Sequence, residues 1–201
     1  MPSDASNRVH HRYWNPLNRI VIEGVYPELD GGRYPVKRIV GEAFDVSADI
    51  FCDGHDTLGA AVKYREHGVE AWHQVPMHFV DNDRWSGRFE LKRNCRYVYT
   101  VEAWTDVFGS WRHDTVKKRD AAQRIELELI EGVEHVRKAL GLAEDSQDVA
   151  ALKRLLSDIE RAAGVGARSQ LLLADHLAEI MRRSGERADR TTYYRELEVV
   201  V

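Results

Sequence analysis

Trp72, Trp85, Trp104 and Trp111 are the side chains in this 201-residue sequence best suited to a chemical task. An indole offers a broad apolar face that can stack on a sugar ring. In a strand-rich chain the same residue usually fills a core, so each Trp is expected to pack first and to touch carbohydrate only where its ring stays open. Other candidates are weaker. The pair His10-His11 has no partner Cys or carboxylate cluster and reads as solvated tail. Asp53-Gly54-His55-Asp56 offers three polar side chains to a cation, but Gly and Asp in that order also describe a tight turn. No Gly-x-Ser-x-Gly, phosphate loop, Cys-x-x-Cys or His-Glu-x-x-His occurs. Carboxylates abound, yet nothing local sets two of them across a cleft as glycoside hydrolysis requires. No catalytic residue, cofactor or metal ligand is assigned.

Cys52 and Cys95 flank Trp72, the order in which an immunoglobulin domain places its disulfide and packed Trp. That pattern sets a Tyr two residues before the second Cys, whereas Tyr97 follows Cys95 by two. With no signal peptide, free thiols in a reducing cytoplasm are expected.

The elements that must position these residues fall into two compositional halves. Arg96–Asp106 alternates strictly: Tyr97, Tyr99, Val101 and Ala103 on one side, Arg96, Thr100, Glu102 and Asp106 on the other. This predicts a strand with one buried face. Further strands are expected over 19–26, 44–50, 60–65, 71–75 and 85–91, separated by turns such as Asp30-Gly31-Gly32 and Asp81–Arg84. Val107–Trp111 reads as a Gly-containing turn with a last aromatic. From there to Tyr193 no Phe, Trp or Tyr appears. Three amphipathic stripes fill the interval: Ala122 to Leu140, Val149 to Ile159, and Leu173 to Met181. With no aromatic in the segment, the stripes must pair with each other, with the sheets, or with a second copy of the chain. Tyr193 to Val201 reads as a final strand. The expected fold is a mostly antiparallel β-sandwich, immunoglobulin- or fibronectin-like, with a three-helix insertion before the last strand. The expected divisions are a leader at 1–18, a sandwich at 19–112 plus 192–201, and helices at 113–191. The chain ends inside an apolar run, which reads as a cut between domains.

Bulk properties narrow the partners. The net charge is −4, and between His113 and Thr191 there are 14 basic and 15 acidic residues. That balance argues against nucleic acid. No apolar run approaches the roughly 20 residues of a membrane span, and a cytoplasmic protein is expected.

Four ordered blocks carry a family resemblance: Ile22–Arg38, Val46–Asp56, Asn82–Phe89 and Tyr99–Asp106. Together they resemble the N-terminal region of bacterial maltosyltransferases that extend α-1,4-glucans from maltose 1-phosphate. The likeness covers residues 19 to 112 well. The helical part matches in placement more than in residues, and Glu198–Val201 matches the return strand. The resemblance implies an α-amylase-related, retaining glycosyltransferase of carbohydrate metabolism, with its aspartate nucleophile and glutamate acid/base in a barrel outside this chain. It implies a homodimer through the helical insertion and sandwich, α-glucan and maltose 1-phosphate as substrates of the whole enzyme, and no activity in this chain alone. A glucan-binding module and a stand-alone interaction module are the alternatives.

Overall fold

The computed structural model describes residues 19–201, so the expected leader and His10-His11 lie outside the described residues. The strands are β1 (Ile20–Tyr26), β2 (Val36–Lys37), β3 (Ala43–Cys52), β4 (Leu58–Glu66), β5 (His73–Pro76), β6 (His78–Asp81), β7 (Arg84–Glu90), β8 (Arg96–Asp106), β9 (Arg187–Thr192) and β10 (Leu197–Val200). The helices, all between β8 and β9, are α1 (Val107–Asp120), α2 (Glu126–Leu142), α3 (Ser146–Arg161), α4 (Gly164–Leu172) and α5 (Asp175–Ser184). The chain divides into two units. One comprises residues up to Gly54, Ala60–Trp104 and Asp189–Val201; the other comprises His55–Gly59 and Thr105–Ala188.

The first unit contains two sheets. One has the order β1-β3-β7-β6, and its pairs are antiparallel. The other has the order β2-β10-β8-β4-β5, with β9 also beside β8. In it β10 runs antiparallel to β8 and parallel to β2. The alternation in β3 buries Phe44, Val46, Ala48 and Ile50, as its sequence predicts. Aromatic rings join the two sheets. Phe44 meets Tyr99 edge-on at 5.1 Å, and Tyr64 stacks on Phe89 at 4.0 Å. Such pairs contribute about 0.5–1.5 kcal/mol each beyond the area they bury.

β8 departs from expectation. It is buried from Tyr97 to Trp104, on both faces. Thr100 is 3% exposed and Glu102 2%. The Thr100 hydroxyl donates to the Arg195 carbonyl at 2.9 Å. The Glu102 carboxylate lies 3.7 Å from Lys63 and 3.6 Å from Arg190. A polar residue in a strand marks solvent only when no neighbouring element brings it a partner.

The helical unit differs from expectation in number: five helices stand among the described residues, not three. The turn expected at Val107–Trp111 is the start of α1. Its N-cap is Asp106, whose side chain accepts from the Gly109 N–H at 2.8 Å. Burial pushes the Asp106 carboxyl up, against the pull of that N–H and of Arg182. Of the third stripe, Leu173 is the C-cap of α4 and Leu177, Ile180 and Met181 lie in α5, because the backbone turns extended at Ala174. The unit therefore has aromatics after all. Phe108 and Trp111 join Leu129, Val136, Leu152, Leu172 and Leu177 in one core. The helical stripes thus pair mainly with one another. No helix among the described residues is long and apolar enough to cross a membrane.

Two contacts in this unit yield predictions. The Trp111 indole N–H donates to the Glu128 carbonyl at 2.9 Å, which holds the ring flat against Gly132. A Cβ at Gly132 would overlap the indole carbons. Ala is normally favoured over Gly inside a helix by about 1 kcal/mol. Here Gly132→Ala is expected to lower stability by about 1–3 kcal/mol through overpacking. A thermal melt checks this, and an unchanged or raised Tm contradicts the packing.

The second contact is Asp148, 6% exposed, which accepts from Arg183 at 2.7 and 3.1 Å and from the Ser184 hydroxyl at 3.2 Å. The Arg183 hydrogen bonds hold its carboxyl below the usual range. A lowered carboxyl contributes stability above its unfolded value, near pH 4, and loses it as pH falls through the native value. Because the Arg183 side chain is 59% exposed, Asp148→Asn is expected to cost only about 1 kcal/mol at pH 7. It should also flatten the acid limb of a stability–pH curve; an equally steep limb in the variant counts against this role.

Candidate functional site

The four tryptophans occupy unlike environments. Trp104 and Trp111 keep 6% and 8% of their surface, which leaves no ring face for a sugar. The sugar-contact expectation therefore passes to Trp72 and Trp85, both half-buried. Trp72 already carries cations: the Arg65 guanidinium lies 4.5 Å and the Lys63 ammonium 5.4 Å from its ring centre. Arg65 is fixed there by the Val69 carbonyl and the Glu196 carboxylate, each at 3.1 Å. Trp85 stands opposite Ala48 in the register of β3 and β7, which turns it toward the inner side of the sheet. Its ring meets Phe79, 57% exposed on the edge strand β6, at 5.8 Å.

The remaining candidates take simpler roles. Residues 53–55 form bends with Gly54 at φ +113°, and the Arg19 guanidinium donates to the Asp53 carbonyl at 2.5 Å. Among the described residues neither Cys52 nor Cys95 forms a disulfide. Among the described residues no three His, Cys, Asp or Glu side chains gather as a metal site. In the helical unit a hollow of about 300 Å³ at the start of α1 is lined by His55, His113 and Lys117 beside Asp56 and Asp114. Mixed charges at its exposed mouth give it no preference for either sign of ion.

Two surfaces were not legible as candidates. The first is on α2. Leu127 is 73% and Ile130 61% exposed, three residues apart on one helical face. Beside them a groove of about 220 Å³ has Leu129, Val133 and Ile159 in its floor and Glu134, Arg137 and Arg168 at its rim. The amphipathic pattern of α2 is weak because apolar residues lie on both faces.

The second surface is the turn after β1. Leu29 bridges Tyr34, and the Arg33 N–H donates to the Leu29 carbonyl at 3.1 Å. Gly31 and Gly32 have φ of +61° and +75°, and side chains there would strike Arg195 and Leu197. Glu28 accepts from the Tyr193 hydroxyl at 2.8 Å and from Arg195 at 3.0 Å. The Tyr99 hydroxyl donates to the Pro27 carbonyl at 2.5 Å. Burial, followed by the neighbouring Glu28 carboxylate, pushes both phenols up. The sequence shows the Gly-Gly turn, but the partners that fix it come from the far end of the chain.

Comparison with known proteins gives a consistent result. A family model described as "Alpha-1,4-glucan:maltose-1-phosphate maltosyltransferase, domain N/S" matches residues 18–201. The chain is 41% identical over 182 residues to the α-1,4-glucan:maltose-1-phosphate maltosyltransferase of Chlorobaculum tepidum, covering 90% of this chain and 27% of that protein. It is 49% identical over 120 residues to the enzyme of that name from Myxococcus xanthus, covering 58% of this chain and 18% of that protein. It is 38% identical over 177 residues to the one from Cereibacter sphaeroides, covering 87% of this chain and 29% of that protein. The chain thus spans less than a third of the length of these relatives.

Proposed function

We infer that this chain, which belongs to the α-1,4-glucan:maltose-1-phosphate maltosyltransferase family, is the non-catalytic N-terminal scaffolding and dimerisation part of such an enzyme. The carrying observation is the match to the family's N/S domain over residues 18–201 together with the small share of each relative that the chain covers. On this reading the whole polypeptide transfers maltose from maltose 1-phosphate to the non-reducing end of an α-1,4-glucan with retention, in the bacterial cytoplasm. The carboxylates that do this belong to a barrel domain of the same polypeptide. This part serves as an immunoglobulin-like sandwich interrupted by a helical insertion that begins with α1 and ends with α5.

The dimer contact in this reading uses the exposed face of α2. Leu127 and Ile130 are larger apolar side chains than a solvated helix face needs, and they flank a groove with an apolar floor. Glu134 and Arg137 at its rim give the surface both signs of charge, so two copies can oppose each other without like-charge contact.

Two measurements test these roles separately. The isolated chain incubated with maltose 1-phosphate and maltohexaose is expected to release no inorganic phosphate; sustained release would place the chemistry here and end the scaffold reading. Light scattering on the chain at tens of micromolar is expected to give a dimer mass. Leu127→Asp with Ile130→Asp is expected to weaken the dimer at least tenfold, about 1.4 kcal/mol. A dimer equally tight in the double variant would remove α2 from the interface.

A further inference from the structure

We propose that the turn at residues 39–42, beside the end of β10, is the seat for the domain that follows Val201 in the same polypeptide. On the scaffold reading, from which this follows, the chain continues from Val201 into a barrel domain. Val201 is itself fixed in the sheet. Its N–H donates to the Cys95 carbonyl at 3.1 Å, and the Val200 carbonyl accepts from the Arg38 N–H at 3.0 Å. β10 and β2 run parallel, with Val200 opposite Lys37. Val201 therefore leaves the sheet level with Arg38, one strand spacing of about 4.8 Å away. Ile39 is the next residue along.

Ile39 is 68% and Val40 49% exposed. Among the described residues of the first unit no large apolar side chain is more exposed than Ile39. The turn that carries the pair is tightly held. Glu42 closes it twice: its N–H donates to the Ile39 carbonyl at 3.3 Å, and its carboxylate accepts from the Ile39 N–H at 3.2 Å. Gly41, at φ +88°, takes the third position, where such a turn needs a left-handed residue. The Gly41 N–H donates to the Leu91 carbonyl at 2.9 Å, and the Leu91 N–H to the Glu42 carbonyl at 3.0 Å. Leu91 is fully buried, so the turn is tied to the core while its two aliphatic side chains stay in water. A Cβ at Gly41 would meet nothing within 4 Å, so the space beside the turn is open.

Turns in water favour Gly, Pro, Asn, Asp and Ser, each for a reason of backbone geometry. Ile39 and Val40 bring the turn nothing of that kind, and they leave apolar surface that a covering element would stabilise. The occupant follows from size and position. Two side chains fall far short of the roughly 1,200 Å² that a stable interface between separate molecules buries. A tethered domain needs no such area, because a short connection holds it at an effective concentration on the order of millimolar. The place of the turn beside Val201 therefore selects the following domain over a second copy. The dimer contact proposed on α2 belongs to the other unit.

Hydrogen exchange read by mass spectrometry, on the isolated chain and on the full-length polypeptide, tests the seat. The amides of residues 39–41 are expected to exchange about fivefold more slowly, or slower still, in the full-length polypeptide. Ile39→Asp with Val40→Asp should remove that protection and speed subtilisin cleavage after Val201 by about fivefold or more. In the isolated chain the same double variant should melt as wild type does, since both side chains are exposed. Equal exchange at residues 39–41 in the two proteins overturns the proposal. So does protection that survives the double variant. A lowered melting temperature of the variant chain would mean that the pair packs within this unit, which also overturns it. Protection in the isolated chain that rises with protein concentration makes the turn a contact between copies, with the same consequence. Phosphate release by the isolated chain, which decides the scaffold reading, moves none of these readouts.

Discussion

The double burial of β8 is the constraint on which the first unit depends. Tyr99, fully buried, packs edge-on against Phe44 of the opposite sheet and donates its hydroxyl to the Pro27 carbonyl. One side chain thus joins the two sheets and anchors the turn after β1. On the other face Glu102 requires cations. Lys63 comes from β4, and Arg190 comes from β9, the segment that follows the helices. A carboxylate this deep is expensive to bury unless countercharges stand beside it. The return of the chain to β8 therefore brings Glu102 a second cation as well as a strand pairing.

The helical segment begins where β8 ends. Asp106 closes β8 and caps α1, and β9 pairs β8 on the way back. Between those points the helices need only satisfy each other, which Phe108 and Trp111 allow. Trp111 fills the space that Gly132 leaves open, so a small residue on α2 and a large one on α1 are a single packing decision.

What the sequence made legible follows from where each residue finds its partners. β1, β3, β7 and β8 were readable from alternation in their sequences, and β4 from the short apolar run Ala60-Ala61-Val62. β6 is exposed at every position and β9 is rich in charge, so neither carries a period-two signal. The stripe of α3 was visible. α1 was hidden, although Phe108, Trp111 and Thr115 have helical spacing, because Gly109 among aromatics reads as a turn. The outer face of β8 was misread as solvated because burial in ion pairs and exposure to water look alike in a one-dimensional pattern. For the site, sequence alone offered indoles without their depth. The family likeness, not any spacing of reactive residues, supplied the function.

The turn after β1 shows how much of a specific block folding itself demands. Glu28 answers to Tyr193 and Arg195, and Gly31 and Gly32 leave room for Arg195 and Leu197. Pro27 offers its carbonyl to Tyr99. Each of these residues is accounted for by a contact within the unit. Tyr34 is different. It is 57% exposed, and stability gains little from a phenol ring held in water. A construction that fixes its neighbours so closely and then presents an aromatic ring outward spends its order on the surface rather than on the core. In a chain whose core is already closed by Phe44, Phe89 and Tyr99, Tyr34 stands at the edge of the block, paired with Leu29 and with Arg33 over its ring, rather than in the packing.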